Sequence, residues 1–192
     1  LTEAKVFFAE MAQRYGSYPN VIYEPYNEPL NVSWSNVLKP YFQEVIDTIR
    51  HYDPDNIIVC GTPNWSQDVE DAAADPLEDA HVAYTLHFYA STHKDSLRAK
   101  ARKALALNVA LMVTEFGTTE STGDGFIDEK EMQRWFNFMD EFNLSWCNWS
   151  VADKKENSAA LSSRTPVSGW RPDQLTRSGT ILRTELRTRA LP

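Results

Sequence analysis

The sequence is short of glycine and shorter still of cysteine, with seven and two respectively in 192 residues. No glycine cluster follows the first strand-like run, which ends near Tyr26, so a glycine-rich phosphate cradle after that strand is excluded. Two cysteines cannot form a disulfide framework, and Cys60 and Cys147, each inside an apolar run, read as buried free thiols. Positive charge is also scarce: 19 Lys and Arg against 27 Asp and Glu give a net charge of −8, which argues against a nucleic-acid or anionic-membrane surface. No apolar run approaches the roughly 18–20 residues needed to span a bilayer. The opening LTEAKVFFAEMAQRYG is not a signal peptide but an amphipathic helix, with Thr2 expected as its cap and Gly16 as its stop.

What the chain does have is 42% hydrophobic and 12% aromatic residues, enough for a sizeable single core. Strand-like runs occur at 21–26, 57–60, 82–88, 110–116 and 144–149, most of them apolar throughout, as suits strands covered on both faces. Helical patterns separate them at 34–52, 91–107 and 128–142, and a last helix is expected over 178–189. Pro40 forces a late start or a kink in the first of these, and Asp53-Pro-Asp-Asn56 forms the turn into the second strand. Strand starts about thirty residues apart are the rhythm of βα units in a parallel sheet. An α/β fold of this kind is either doubly wound or part of a TIM (β/α)8 barrel. The doubly wound form expects the missing glycine turn. The barrel expects polar and aromatic residues at several strand ends together, and that is the pattern present.

Strand by strand, those ends read Asn27-Glu28-Pro29, then Gly61-Thr62 with Trp65 nearby, then His87-Phe-Tyr89, Thr114-Glu115-Phe-Gly117 and Asn148-Trp149. Singly each has a plainer account: Glu28 as a solvated loop acid, His87 as a satisfied core histidine, Trp149 as a core aromatic. Together they place two carboxylates, a histidine, a tyrosine and tryptophans at one end of a barrel. Two carboxylates among aromatics suit glycoside cleavage, in which one acid protonates the leaving oxygen and the other attacks or stabilises the sugar centre. Tryptophans offer flat faces to sugar rings, and an acidic protein suits a neutral glycan.

The segments EPYNEP, WSQDV, LHFYA, VTEFG and SWCNWSVADKKENSAAL, in that order and spacing, resemble the bacterial endoglucanases (cellulases) of glycoside hydrolase family five over essentially the whole chain. The resemblance implies a retaining endo-β-1,4-glucanase acting on cellulose and related β-glucans, with Glu28 as acid/base and Glu115 as nucleophile. It implies that Asn27 holds the 2-hydroxyl of the sugar beside the scissile bond and that His87 and Tyr89 line that subsite, with the Tyr89 hydroxyl donating to Glu115. Trp149 would floor the subsite, while Trp65, Lys154 and Glu156 grip neighbouring sugars. No metal or other cofactor is implied, and a secreted, extracellular protein is. Phe116 stands where the family commonly has Trp, and Tyr26 where a small residue is common.

By this resemblance residues 1–192 supply strands 4–8 and their helices, the C-terminal five βα units of one catalytic barrel. The expected partners are then a β-glucan oligo- or polysaccharide, and the N-terminal part of the same barrel or a second chain completing it. Inward faces at 57–60, 82–88 and 144–149 are expected to lie open. The alternative is a truncated, catalytically inactive half-barrel acting as a glycan-binding or assembly fragment. A rival from another class is a calcium loop at Glu120–Glu131, in which Asp124, Gly125, Ile127, Asp128 and Glu131 fall at the offsets of such a loop, although a strand rather than a helix leads into it.

Overall fold

The computed structural model describes residues 1–189, which form two compact units: 1–87 with 96–113, and 88–95 with 114–189. Strands and helices alternate in the order α1 (Thr2–Tyr15), β1 (Ile22–Tyr23), α2 (Lys39–Arg50), β2 (Ile57–Cys60), the short α3 (Pro63–Ser66) and α4 (Val69–Ala74), and β3 (Val82–Tyr89). They continue as α5 (Asp95–Ala106), β4 (Leu111–Gly117), α6 (Glu129–Glu141), β5 (Trp146–Asn148) and α7 (Arg177–Arg189). The five strands are hydrogen-bonded in the sequential order β1-β2-β3-β4-β5. A doubly wound sheet reverses its strand order at a switch point. This one does not, and the barrel reading holds.

In the first unit β1 pairs with β2, and β2 with β3, both in parallel, with Ile22 opposite Ile57 and Ile58 opposite Val82. The α2 helix presents Phe42, Val45, Ile46 and Ile49 on one stripe, all buried. Burying each such side chain contributes about 1.5–3 kcal/mol. Pro40 sits in the first turn of α2, where its missing N–H costs nothing. The expected late start is found, preceded by a π-helical turn at Trp34–Leu38 capped by Ser33. Trp34 fixes this end of the unit: its ring meets Phe42 and Tyr84, and its indole N–H donates to the Asp75 carbonyl at 2.8 Å.

The turn after α2 is a buried polar knot. The Asp53 carboxylate accepts from the Tyr23 hydroxyl at 2.6 Å, the Asn56 amide side chain at 2.7 Å and the Asn56 backbone N–H at 3.0 Å. Burial pushes the Asp53 carboxyl up, but these hydrogen bonds outweigh it and leave the group below the ordinary carboxylate value. Asp53→Asn should therefore cost about 3 kcal/mol at neutral pH. A carboxyl depressed in the folded state stabilises fully above its unfolded value and loses that contribution as pH falls through the folded value. Urea midpoints of wild type and variant should differ at pH 7 and converge in acid; a gap that persists below pH 2 would contradict this assignment.

In the second unit, the end of β3 lies beside β4, with the Ala90 N–H donating to the Gly117 carbonyl, and β4 lies beside β5, with the Trp149 N–H donating to the Phe116 carbonyl. Its core is an aromatic stack of Phe116, Phe88 and Trp135, with centroids 5.2 and 3.9 Å apart. Asp128 caps α6 by accepting from the Glu131 N–H.

Some expectations are corrected. Thr2 lies inside α1 and no side chain caps that helix. The first strand is only Ile22–Tyr23, because Pro25 has no N–H to give to a ladder. Cys60 is buried, and burial pushes its thiol up, but Cys147 is exposed; neither forms a disulfide. The strand faces expected to lie open are mostly covered: residues 58–60 and 83–89 are buried, and exposure falls on Ile22, Ile57, Cys147 and Trp149. A strand with a neighbour on each side is shielded on both flanks, so apart from Ile57, the first residue of β2, the exposure falls on the outer strand β1 and on β5 with the residue after it.

Candidate active site

In the first unit, the segment after β1 carries Asn27 and Glu28. Glu28 Oε1 lies 2.8 Å from Nδ1 of His87, whose side chain is almost fully buried in β3. With Nδ1 protonated, the ring donates to the carboxylate and fixes its orientation. Trp65 reaches the same segment through an unusual turn: Asn64, Trp65 and Ser66 all have positive φ, near 57–58°. Left-handed backbone costs roughly 1–2 kcal/mol per non-glycine residue. It is held in place by donation from the Trp65 N–H to the Pro29 carbonyl, from the Asn64 N–H to the Leu30 carbonyl, and from the Ser66 hydroxyl to the Asn27 carbonyl. The strained turn leaves Trp65 46% exposed rather than consumed as core.

In the second unit, the Tyr89 hydroxyl donates to Glu115 Oε1 at 2.8 Å, as the sequence led us to expect. The Tyr89 ring lies against residue 117, where any Cβ would come within 2.4 Å of its carbons. Only glycine lets the tyrosine reach the carboxylate, a requirement the sequence reading missed; the sole signal was a glycine closing an apolar strand. Along β4, Glu115 is half-buried while its neighbour Phe116 turns the other way into the aromatic core. That alternation is why a buried strand can end in a carboxylate. Trp149 follows β5 and is half-exposed, and the peptide bond after it is cis. Lys154 Nζ stands 5.7 Å from the centre of that ring and 2.6 Å from Glu156 Oε2.

The predicted residues thus fall into local groups. Asn27, Glu28, His87 and Trp65 share the first unit; Tyr89 with Glu115, and Trp149 with Lys154 and Glu156, belong to the second. The strand β3 carries both His87 and Tyr89. The rival calcium loop is otherwise engaged: Asp128 caps α6 and pairs with Lys94 at 2.9 Å, and Asp124 accepts from the Asn157 N–H.

Each unit thus carries a carboxylate with a fixed hydrogen-bond partner, Glu28 with His87 and Glu115 with Tyr89, groups whose chemistry suits glycoside cleavage. Comparison with known proteins identifies the family. The chain belongs to glycosyl hydrolase family 5, whose sequence profile, described as Cellulase (glycosyl hydrolase family 5), matches residues 1–155. It is similar to endoglucanase Z of Dickeya dadantii, 54% identical over 82% of this chain and 37% of that protein. It is also similar to endoglucanase A of Evansella cellulosilytica, 50% identical over 98% of this chain and 39% of that protein. The chain therefore spans about two fifths of the length of these relatives. Among solved structures, the catalytic domain of Thermobifida fusca endoglucanase Cel5A superposes with a TM-score of 0.91 at 37% identity, over 97% of this chain and 63% of that domain. A variant of that domain is solved in complex with cellotetraose. The fold is accordingly a part of the family's (β/α)8 barrel.

Proposed function

We propose that this chain carries the acid/base and the nucleophile of a retaining endo-β-1,4-glucanase. The observation that carries the reading is the pair of hydrogen bonds from β3 residues, His87 with Glu28 and Tyr89 with Glu115. In the first step the Glu28 carboxylic acid protonates the departing glycosidic oxygen while the Glu115 carboxylate attacks the anomeric carbon, forming a glycosyl ester and freeing the leaving sugar. In the second, the Glu28 carboxylate takes a proton from water, whose oxygen attacks the anomeric carbon and releases Glu115. Asn27 holds the 2-hydroxyl of the reacting sugar. Tyr89 holds the attacking carboxylate in line, and His87 does the same for the acid. Trp149 and Trp65 stack on sugar faces, and Lys154 and Glu156 hydrogen-bond a neighbouring ring.

The relatives' names and the cellotetraose complex of the Thermobifida domain support a β-1,4-glucan as substrate. Catalysis is assigned to a barrel closed by further strands of the protein or by a second copy, since β1 and β5 are the outer strands of the described sheet. Cellulose is an insoluble polymer, so the reading places the protein outside the cell. The test is the anomer first released from a β-glucan, followed by NMR of fresh product. Double displacement yields the β-anomer first. Early α-anomer would exclude it, and saturable glucan binding without any product would favour the glycan-binding alternative.

A further inference from the structure

Around the Lys154–Glu156 pair lies a set of hydrogen-bonded polar groups, some buried and some exposed, to which the reading above gives no task. Ser158, fully buried, donates from its hydroxyl to Glu156 Oε1 at 2.6 Å, while Lys154 holds the other oxygen. The Ser158 N–H donates to the Gly123 carbonyl at 3.1 Å. Asn157 grips the same turn twice, its backbone N–H donating to Asp124 Oδ1 at 3.0 Å and its side-chain amide to the Gly125 carbonyl at 2.7 Å. The turn is in turn closed on itself by donation from the Gly123 N–H to the Glu120 carbonyl. Gly123 has φ +83°, and a Cβ there would come within 2.7 Å of Glu156 Oε1, so the glycine leaves the room that the carboxylate fills. The Asn157 carbonyl accepts from the Ser178 hydroxyl, and that hydroxyl lies 2.5 Å from the hydroxyl of Thr118, the residue after β4. Both Ser178 and Thr118 are fully buried.

We propose that Ser158, Asn157 and Asp124 are positioning residues: with the 120–125 turn they hold the Lys154–Glu156 pair beside Trp149 in its sugar-binding orientation before substrate arrives. The inference rests on the reading of that pair as a sugar contact. Two flexible side chains would otherwise lose rotamer freedom on binding, and orienting them in advance moves that cost into folding. Both Glu156 oxygens already have one partner each, and a carboxylate oxygen accepts two bonds, so capacity remains for sugar hydroxyls. Burial pushes the Glu156 carboxyl up and the nearby Asp124 adds to this, but hydrogen bonds from Lys154 and Ser158 prevail and leave it below the ordinary value. The rack also reaches, through Ser178 and Thr118, the end of the strand that carries Glu115. It thereby ties the grip on a neighbouring sugar to the strand of the attacking group.

The test uses the intact protein with Ser158→Ala, Gly123→Ala and Glu156→Gln. Two quantities are read: the titration of the Glu156 carboxyl by 13C NMR, assigned with Glu156→Gln, and kcat and KM on cellotetraose. Ser158→Ala should move the Glu156 titration upward and raise KM about five- to tenfold, with kcat nearly unchanged. Gly123→Ala should raise KM likewise by displacing the carboxylate. In a Glu156→Gln background, Ser158→Ala should add little further to KM. A lowered Tm with titration and KM both unchanged would show that Ser158 merely stabilises the loop, and would overturn the proposal. If Ser158→Ala moves the titration but Glu156→Gln leaves KM unchanged, the rack exists and the sugar-binding reading of the pair is what fails.

Discussion

Glu115→Gln should lower kcat on soluble cellulose and on aryl cellobiosides alike, by on the order of 10⁴- to 10⁶-fold, the range seen when a covalent nucleophile is removed. An amide cannot form the glycosyl ester, whatever the leaving group. Glu28→Gln behaves differently. It should cost about 10²–10⁴-fold on cellulose, where the departing sugar oxygen needs a proton. It should cost far less in the first step on dinitrophenyl cellobioside, whose leaving group departs unaided. A pre-steady-state burst of dinitrophenol from Glu28→Gln, absent from Glu115→Gln, would separate the two roles. The same pattern in both variants would mean the roles are wrongly assigned. The swap of carboxylate for amide is nearly isosteric, and both positions are half-buried at strand ends rather than in the core, so Tm should move little.

Trp149→Ala should lower kcat/KM on cellotetraose by about 30- to 100-fold, or ~2–3 kcal/mol, the scale of losing one well-buried aromatic contact. The fold leaves Trp149 45% exposed, so a bound sugar would complete its burial. Lys154→Ala, which removes a hydrogen bond and the cation above the ring, should cost about fivefold. Equal effects, or none for the tryptophan, would show that Trp149 serves packing instead. Tryptophan fluorescence during a cellotetraose titration gives an independent measure of the same contact.

The strand ends were legible because a carboxylate at the end of an apolar run is rarely neutral in meaning. Glu115 follows Leu-Met-Val-Thr, and the alternation that turns Phe116 inward turns Glu115 out. Helices with strong stripes, such as α2 and α6, were legible for the same periodic reason. Strand bounds were harder to read: Val21–Tyr26 looks like six residues of strand, yet Pro25 cannot join a ladder and only two residues pair. The turn at Asn64–Ser66 could not have been foreseen, since three successive non-glycine residues in left-handed backbone contradict local preference. Beside local bonds such as that from the Ser66 N–H to the Thr62 carbonyl, contacts to Asn27, Pro29 and Leu30, more than thirty residues away, hold it. Nor could Ser158 or Gly117 be singled out, because a serine or glycine announces nothing until its neighbour in space is known. Cys147 misled because an apolar run was taken as buried, whereas the outermost strand of a sheet is covered on one flank alone.

The strand β3 bears on how such a protein ages. His87 and Tyr89 point to one face of it, and between them Phe88 points to the other, locked between Phe116 and Trp135. The aromatic stack therefore acts as a ratchet pin for the strand, and a slip of one residue would turn both partners away together. Glu28 and Glu115 would thus lose their partners together. Mild heating or slow chemical damage should then produce a mixture of fully competent and fully silent molecules rather than a population of uniformly weakened ones, and remaining activity would count survivors.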